Sequence, residues 1–288
     1  MANETTPTSI NDIVPLIIAE SYRKLNQNCG IMQTIRTKDI SAQAGISTIF
    51  PSFSKISAGD VGSPAFGAEY NTNKEITTDG VTATVTRHAL HAKVPEITLE
   101  ATNYDLINTI SSQFANGMQA KIESEVVALF ADFNSGNDLA GAGVTMTFAD
   151  FMKAIKNIMA NDGDVMQMSG ILSPSQIWGS KGLSSILVDA DANAGGLGET
   201  MKNNGWVRNI AGIDIYASNQ INEDVGSGGD AAGGIYTRGA IGMAYKNIAK
   251  IKVAEDPKSD GWLLTCNGYW DIVKLEDTWG CYFLSDVS

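Results

Sequence analysis

Histidine is the side chain best suited to proton transfer and metal binding near neutral pH, and this chain has only His88 and His91. On a strand, residues three apart point to opposite faces, so the pair cannot close together on one metal ion. Cys29, Cys266 and Cys281 are odd in number and in no zinc-ligand spacing. Small buried or half-buried thiols are expected rather than a disulfide framework or a metal site. Glu123 and Glu125 are the nearest approach to an acid–base couple, but two apart on a helix they point in different directions. Asp189 and Asp191, with Asn193, offer oxygens for a Ca²⁺ loop without the glycine and terminal glutamate that complete one. The Gly226-Ser227-Gly228 cluster loosely matches a dinucleotide-binding loop, yet it follows no convincing strand and opens no helix, so it reads as plain loop. Neither a nucleophile elbow nor a phosphate-binding glycine loop occurs. Nothing is arranged for catalysis, and no cofactor or metal is expected.

The 288 residues, 43% of them hydrophobic, suffice for one large domain or two modest ones. The net charge is −12, and the 20 Lys and Arg are spread along the chain, with Lys246, Lys250 and Lys252 the longest close grouping. Proteins that grip nucleic acid show a clustered basic face, so direct DNA binding as the main task is disfavoured. An acidic surface can still coexist with packed DNA. The opening Met1-Ala2-Asn3-Glu4-Thr5-Thr6 has no basic segment leading into an apolar run, and no apolar stretch nears the roughly 18 residues that span a bilayer. A soluble protein made in a cytoplasm is expected, without a membrane partner.

The elements are legible from periodicity. Asp12 can cap an amphipathic arm whose apolar stripe is Ile13, Ile17, Ile18, Tyr22 and Leu25; little nearby sequence is available to cover it. Gly45 to Phe53 reads as a strand, and 54–74 as a long Ser/Gly/Ala/Asn-rich loop of low hydrophobicity, with Asp60, Phe66, Glu69 and Tyr70 as its distinctive side chains. Strands resume at Glu75, and Val81 to Arg87 alternates with a period of two. Ile107, Ile110, Phe114, Met118, Ile122, Val126, Leu129 and Phe133 then recur at spacings of three and four. The predicted helix runs from Thr102, in a capping box with Asp105, to Phe133, about 48 Å at 1.5 Å per residue. Gly117 should weaken it by about 1 kcal/mol.

Thr147 and Asp150 cap a further helix with Phe151, Ile155, Ile158 and Met159 as its buried stripe. Gly170 to Leu172 forms a short buried strand, and Ser173-Pro174 opens another helix. Val207 to Ile210 and Ile213 to Ala217 are strands hinged at Ala211-Gly212. Gly226 to Gly234 is expected to be a mobile loop, and Gly239 to Tyr245 a short helix between the strands Ile235 to Thr237 and Ile251 to Ala254. Trp262 to Tyr269, Ile272 to Leu275 and Trp279 to Leu284 complete the β candidates.

In this order the pieces resemble the major capsid proteins of tailed bacteriophages, the Hong Kong-97-type coat fold. The resemblance rests on the arm, the long β-loop, the strand-to-spine-helix passage, Ile171-Leu172-Ser173-Pro174, and the run Ile210, Gly212, Ile215 and Ser218. Gly268-Tyr269 and Trp279 near the end add to it. The fold class it implies is α+β, with an N-terminal arm and the start of a peripheral domain at 1–45, an E-loop at 46–80, a peripheral domain with the spine helix at 81–146, an axial domain at 147–240, and the peripheral domain's C-terminal strands at 241–288. The implied function is that of a non-enzymatic coat protein, made in the bacterial host and residing in the virion. Its pentamers and hexamers would close an icosahedral shell around double-stranded DNA without sequence-specific binding, through a procapsid that matures. The implied partners are further copies of itself, a separate scaffolding protein, a portal and decoration proteins. Inter-subunit contacts are expected at Ile13, Ile17, Ile18, Tyr22 and Leu25 of the arm and at Asp60, Phe66, Glu69, Tyr70 and Lys74 of the loop. Alternatives are an encapsulin-like nanocompartment shell and a phage tail-tube or sheath protein.

Overall fold

The computed structural model describes residues 30–53, 56, 60–63, 65–67, 75–95, 106–183, 209–225, 228–256 and 261–287. The arm stripe, the Thr102–Asp105 capping pair, Cys29 and the Asp189–Asn193 loop lie outside them. Within the described residues the chain builds two sheets and a separate ribbon.

The first sheet has the order β1 (Arg36–Asp39), β10 (Ile241–Asp256), β11 (Gly261–Lys274), β4 (Thr86–Pro95). A short helix, α1 (Ile31–Thr34), leads into β1. The long helix α2 (Leu106–Ala128) lies across one face of this sheet. Its buried Phe114, Met118, Ile122 and Val126 meet Ile248, Ile251, Leu264, Cys266 and Trp270, so its apolar stripe is spent on the sheet, as the spacing predicts.

The helix is shorter at its end than the sequence implies. Phe130–Asp132 tighten into a 3₁₀ turn and Phe133 is extended. A 3₁₀ turn holds three residues, so side chains three apart eclipse. That places the Phe130 and Phe133 rings 6.1 Å apart and 5.7 and 6.4 Å from Tyr236. An unbroken α-helix would swing Phe133 some 60° away from Phe130, at about 100° per residue. Gly117, read as a defect, has a packing reason: a Cβ there would lie 3.1 Å from Leu90 Cδ2 on β4.

The second sheet runs β5 (Leu139–Ala140), β12 (Gly280–Asp286), β9 (Asp230–Thr237), β6 (Met168–Leu172), β8 (Ile213–Ala217), β7 (Asn209–Ile210). β6 is buried along its whole length, as a strand covered on both faces must be. One face carries α3 (Phe148–Ala160), capped by the reciprocal Thr147–Asp150 box. Phe151, Ala154 and Ile158 are buried while Met159 is exposed, because one further residue turns the side chain about 100° off the stripe. α4 (Pro174–Trp178) is capped by Ser173 and Gln176. Ala211 and Gly212 both take positive φ, the type I′ geometry of a two-residue hairpin.

Two further expectations are corrected. The glycine-rich 226–234 segment is not loop throughout: it enters β9 at Asp230. Gly234 sits where a Cβ would come within 2.6 Å of the Phe130 ring, and Gly233 within 2.8 Å of Gln176 Oε1; these glycines serve close packing rather than mobility. Gly239 to Tyr245 is a turn followed by strand, with Ile241 and Met243 on the helix side and Ala244 on the other. The terminal strand β12 pairs antiparallel with β9, Phe283 opposite Gly233.

Candidate assembly surface

Among the described residues, those singled out for chemistry are engaged in packing and hydrogen bonds. His88 stacks on Trp270 with ring centroids 4.2 Å apart. The Trp270 Nε1–H donates to Glu125 Oε2 at 2.8 Å, and Glu125 also meets Lys121 at 3.1 Å. Glu123 turns the other way, accepting from Ser218 Oγ at 2.8 Å and Gln119 Nε2 at 2.6 Å. His91 lies on the opposite face of β4 from His88, 3.0 Å from Thr265 Oγ1. Among the described residues no group of metal-binding side chains gathers, and no buried side-chain polar atom lacks a partner.

Burial pushes the thiol of Cys266 up to about 11 and that of Cys281 up to about 12. Alkylation needs the thiolate. Both cysteines should therefore stay unmodified by iodoacetamide at pH 8 in the folded protein and react after denaturation, as read by peptide mass spectrometry.

The surface feature that stands out is a ribbon. β2 (Ser47–Phe53) pairs antiparallel with β3 (Thr78–Thr84), from Ser47 opposite Thr84 to Phe53 opposite Thr78. Its root is anchored: Phe50, Ala83 and Val85 pack with Ile40 and Ala244 against Tyr269 and Val273 on the first sheet. Lys38 Nζ donates to the Ile49 carbonyl at 2.9 Å, and Asp271 accepts from the Thr84 amide at 2.8 Å. Other apolar side chains of the ribbon and the segment beyond it face water. Ile49 is 56% exposed, Phe53 66% and Val61 70%, with Ile46, Ile56, Phe66 and Ile76 also exposed. Burying a side chain of this kind is worth about 1.5–3 kcal/mol, and an isolated two-stranded hairpin is marginal in water. A ribbon built this way requires something to lie against.

Of the residues named from sequence, Phe66 is fully exposed and Asp60 half-buried on this segment; Glu69, Tyr70, Lys74, Ile13, Ile17, Ile18, Tyr22 and Leu25 lie outside the described residues. Sequence reasoning missed the exposed Ile46, Ile49, Phe53, Ile56, Val61 and Ile76, because a low average hydrophobicity hides apolar residues set singly among Ser and Gly. A second exposed apolar group, Phe148, Met152, Met159, Met166 and Trp178, lies on and near α3 and α4, and it was not anticipated either.

Comparison with known proteins completes the description. A family model described as phage capsid protein matches residues 91–282, well over half the chain. No curated protein sequence matches. Among solved structures, a chain from Mycobacterium phage Che8 is similar with a TM-score of 0.65 at 14% identity, over 89% of this chain and 91% of that one. The capsid of cyanophage P-SCSP1u gives 0.64 at 15% identity, over 88% and 87%. The holo-SrpI encapsulin of Synechococcus elongatus gives 0.60 at 10% identity, over 91% and 89%. At such identities the structural likeness speaks to the fold alone.

Proposed function

The chain belongs to the phage capsid protein family and is a major capsid protein with the Hong Kong-97-type α+β fold; from that premise we propose how it assembles and what it encloses. It is a structural subunit that builds pentamers and hexamers of an icosahedral shell around double-stranded DNA in the virion of a tailed phage. The ribbon of 46–80 is its E-loop and α2 its spine; the first sheet forms the peripheral domain and the second sheet, with α3, the axial domain. Scaffolding, portal and decoration proteins are its further partners.

The observation that carries this reading is the ribbon, whose anchored root and exposed Ile49, Phe53 and Val61 make burial against other copies the favourable outcome. The amphipathic stripe of Ile13, Ile17, Ile18, Tyr22 and Leu25 supports it from the sequence side.

Negative-stain microscopy of the expressed protein tests the proposal. Polyhedral particles several hundred ångströms across are expected, on the order of a shell built from many roughly 30 kDa domains. Filaments would favour a tail-tube or sheath protein. Co-purification with DNA and a portal, rather than with a cargo enzyme, separates a genome shell from a nanocompartment of the same fold. Deleting residues 1–27 should leave a soluble protein that forms no closed shells; normal shells from that truncation would refute the arm's role.

A further inference from the structure

The helix that covers the second sheet carries more apolar surface than the sheet takes up. Around α3 the apolar residues run from Ala154 through Ile158, Phe151 and Ile155 to Met152, an arc of about 160° at about 100° per residue. A surface helix needs about 100° to seat itself on a core. The first part of the arc is spent: Phe151, Ala154 and Ile158 are buried, and the Phe151 ring meets Phe283 on β12 at 5.7 Å. The rest is not. Phe148, Met152 and Met159 are exposed and form one row along the helix, about 16 Å long at 1.5 Å per residue. Met166, in the turn Val165–Gln167 after the helix, is exposed beyond one end of the row. At the other end, Gln176 of α4 reaches the Phe283 carbonyl at 3.4 Å, so the exposed Trp178 of that short helix stands near the first turn of α3.

The border of the row says what fits it. A helix offers no strand edge, so an extended segment gains no backbone partners here, whereas the apolar face of a second helix meets just such a row. Methionine side chains adapt readily to it. The solvent-side border is basic. Lys156 is exposed one turn from both Met152 and Met159, and Lys153 lies about 60° further round. Lys153 donates to the Asp138 carbonyl at 2.7 Å, with the half-buried Asp138 carboxyl nearby. Among the described residues no carboxylate forms an ion pair with Lys156. Asp150, the one carboxylate of α3, lies about 160° round from Met152 and is tied to Thr147 in the cap. Exposed Asp162 and Asp164 come only after the helix has ended. A second copy is a poor occupant. Antiparallel pairing of α3 with itself, Met152 against Met159, sets the Lys156 of both copies on the same side within a turn of each other, and like charges so placed repel. We propose that the row is the docking site for an amphipathic helix of a different protein, about three turns long, whose apolar face covers Phe148, Met152 and Met159 and whose flank sets Asp or Glu against Lys153 and Lys156. Such a partner is additional to further copies of the chain, and the site stands whether or not the chain closes shells.

A pair of synthetic peptides tests the site. Each has about 18 residues, long enough to hold a helix, and the same leucine face; one is flanked by Glu and the other by Lys. Fluorescence anisotropy follows each against the full-length chain in about 0.1 M salt, where exposed charges still act over about 10 Å. The Glu-flanked helix should bind at least about tenfold more tightly than the Lys-flanked one. K153E/K156E should reverse that preference. M152Q/M159Q should weaken the Glu-flanked helix at least about tenfold. Both variants should keep the parent's circular dichroism, since all four side chains are exposed. Equal affinity for the two peptides, no measurable binding of either, or a preference that K153E/K156E leaves unchanged overturns the proposal. So does a smaller sedimentation coefficient for M152Q/M159Q with no peptide present, which would assign the row to a second copy. Binding of the unaltered chain to phosphatidylglycerol vesicles that M152Q/M159Q abolishes would assign it to a lipid surface and overturn the proposal equally.

Discussion

A chain in which residues 54–77 are replaced by Asn-Gly is expected to fold as stably as the parent and to form no closed shells. Phe53 and Thr78 face each other across the ribbon, so a two-residue type I′ turn can close the strands at that point without changing register. The residues that anchor the root, Phe50, Ala83 and Val85, are all retained, and the described residues among those excised belong to none of the buried clusters. The midpoint of thermal unfolding should accordingly move by no more than a few degrees, the effect of about 1 kcal/mol in a chain of this size. What is removed is the exposed apolar set from Ile56 to Ile76. At about 1.5–3 kcal/mol for each side chain buried, its loss from every contact in a lattice is decisive. Light scattering and microscopy read the outcome. Closed particles from the shortened chain would remove the ribbon from the assembly mechanism.

Trp270→Ala should be the most damaging single substitution in the subunit's core. Trp270 is fully buried. It stacks on His88 and donates to Glu125, and its ring fills the space left by Gly268, where a Cβ would fall 1.9 Å from Cζ3. Removing a buried Trp side chain costs about 3–5 kcal/mol through lost burial and the cavity left behind. It also leaves Glu125 without its indole donor. Against a total stability of about 5–15 kcal/mol, this is a large part of what holds the chain together. Trp270→Phe keeps most of the ring volume and loses the N–H, so it should cost less, about 1–3 kcal/mol for the hydrogen bond left unmade. Denaturant unfolding of soluble capsomers measures both. Equal, small shifts for the two variants would show that the aromatic stack bears little of the load.

Much of the fold was readable because its signals are local. The Thr147–Asp150 box set the start of α3, Ser173 and Pro174 set the start of α4, and Ala211-Gly212 set the hairpin between β7 and β8. The helical spacing of Phe114, Met118, Ile122 and Val126 identified the buried face of α2. In each case the deciding interaction lies within a few residues along the chain. The divergent directions of Glu123 and Glu125 followed from the same local geometry.

Where the reading failed, the deciding partner was distant. Gly233 and Gly234 look like loop residues until Phe130 and Gln176 are packed against them. Gly242 and Ala244 look helical until β11 pairs with them. The end of α2 is set by Tyr236, more than a hundred positions further on. The candidate surface divides in the same way: the sequence located a long loop with its own side chains, but not which of them face water.

By itself, then, the amino-acid order determined the helix starts, the alternating strands, the absence of a catalytic constellation among its motifs, and the family resemblance. Only the tertiary structure decided which glycines are packed, which sheet receives the last strand, and that Arg87, His91, Lys250 and Lys252 share one face. The physical reason is that capping and periodicity act between near neighbours, whereas register joins residues some 160 positions apart through contacts that exist only once the sheet has closed.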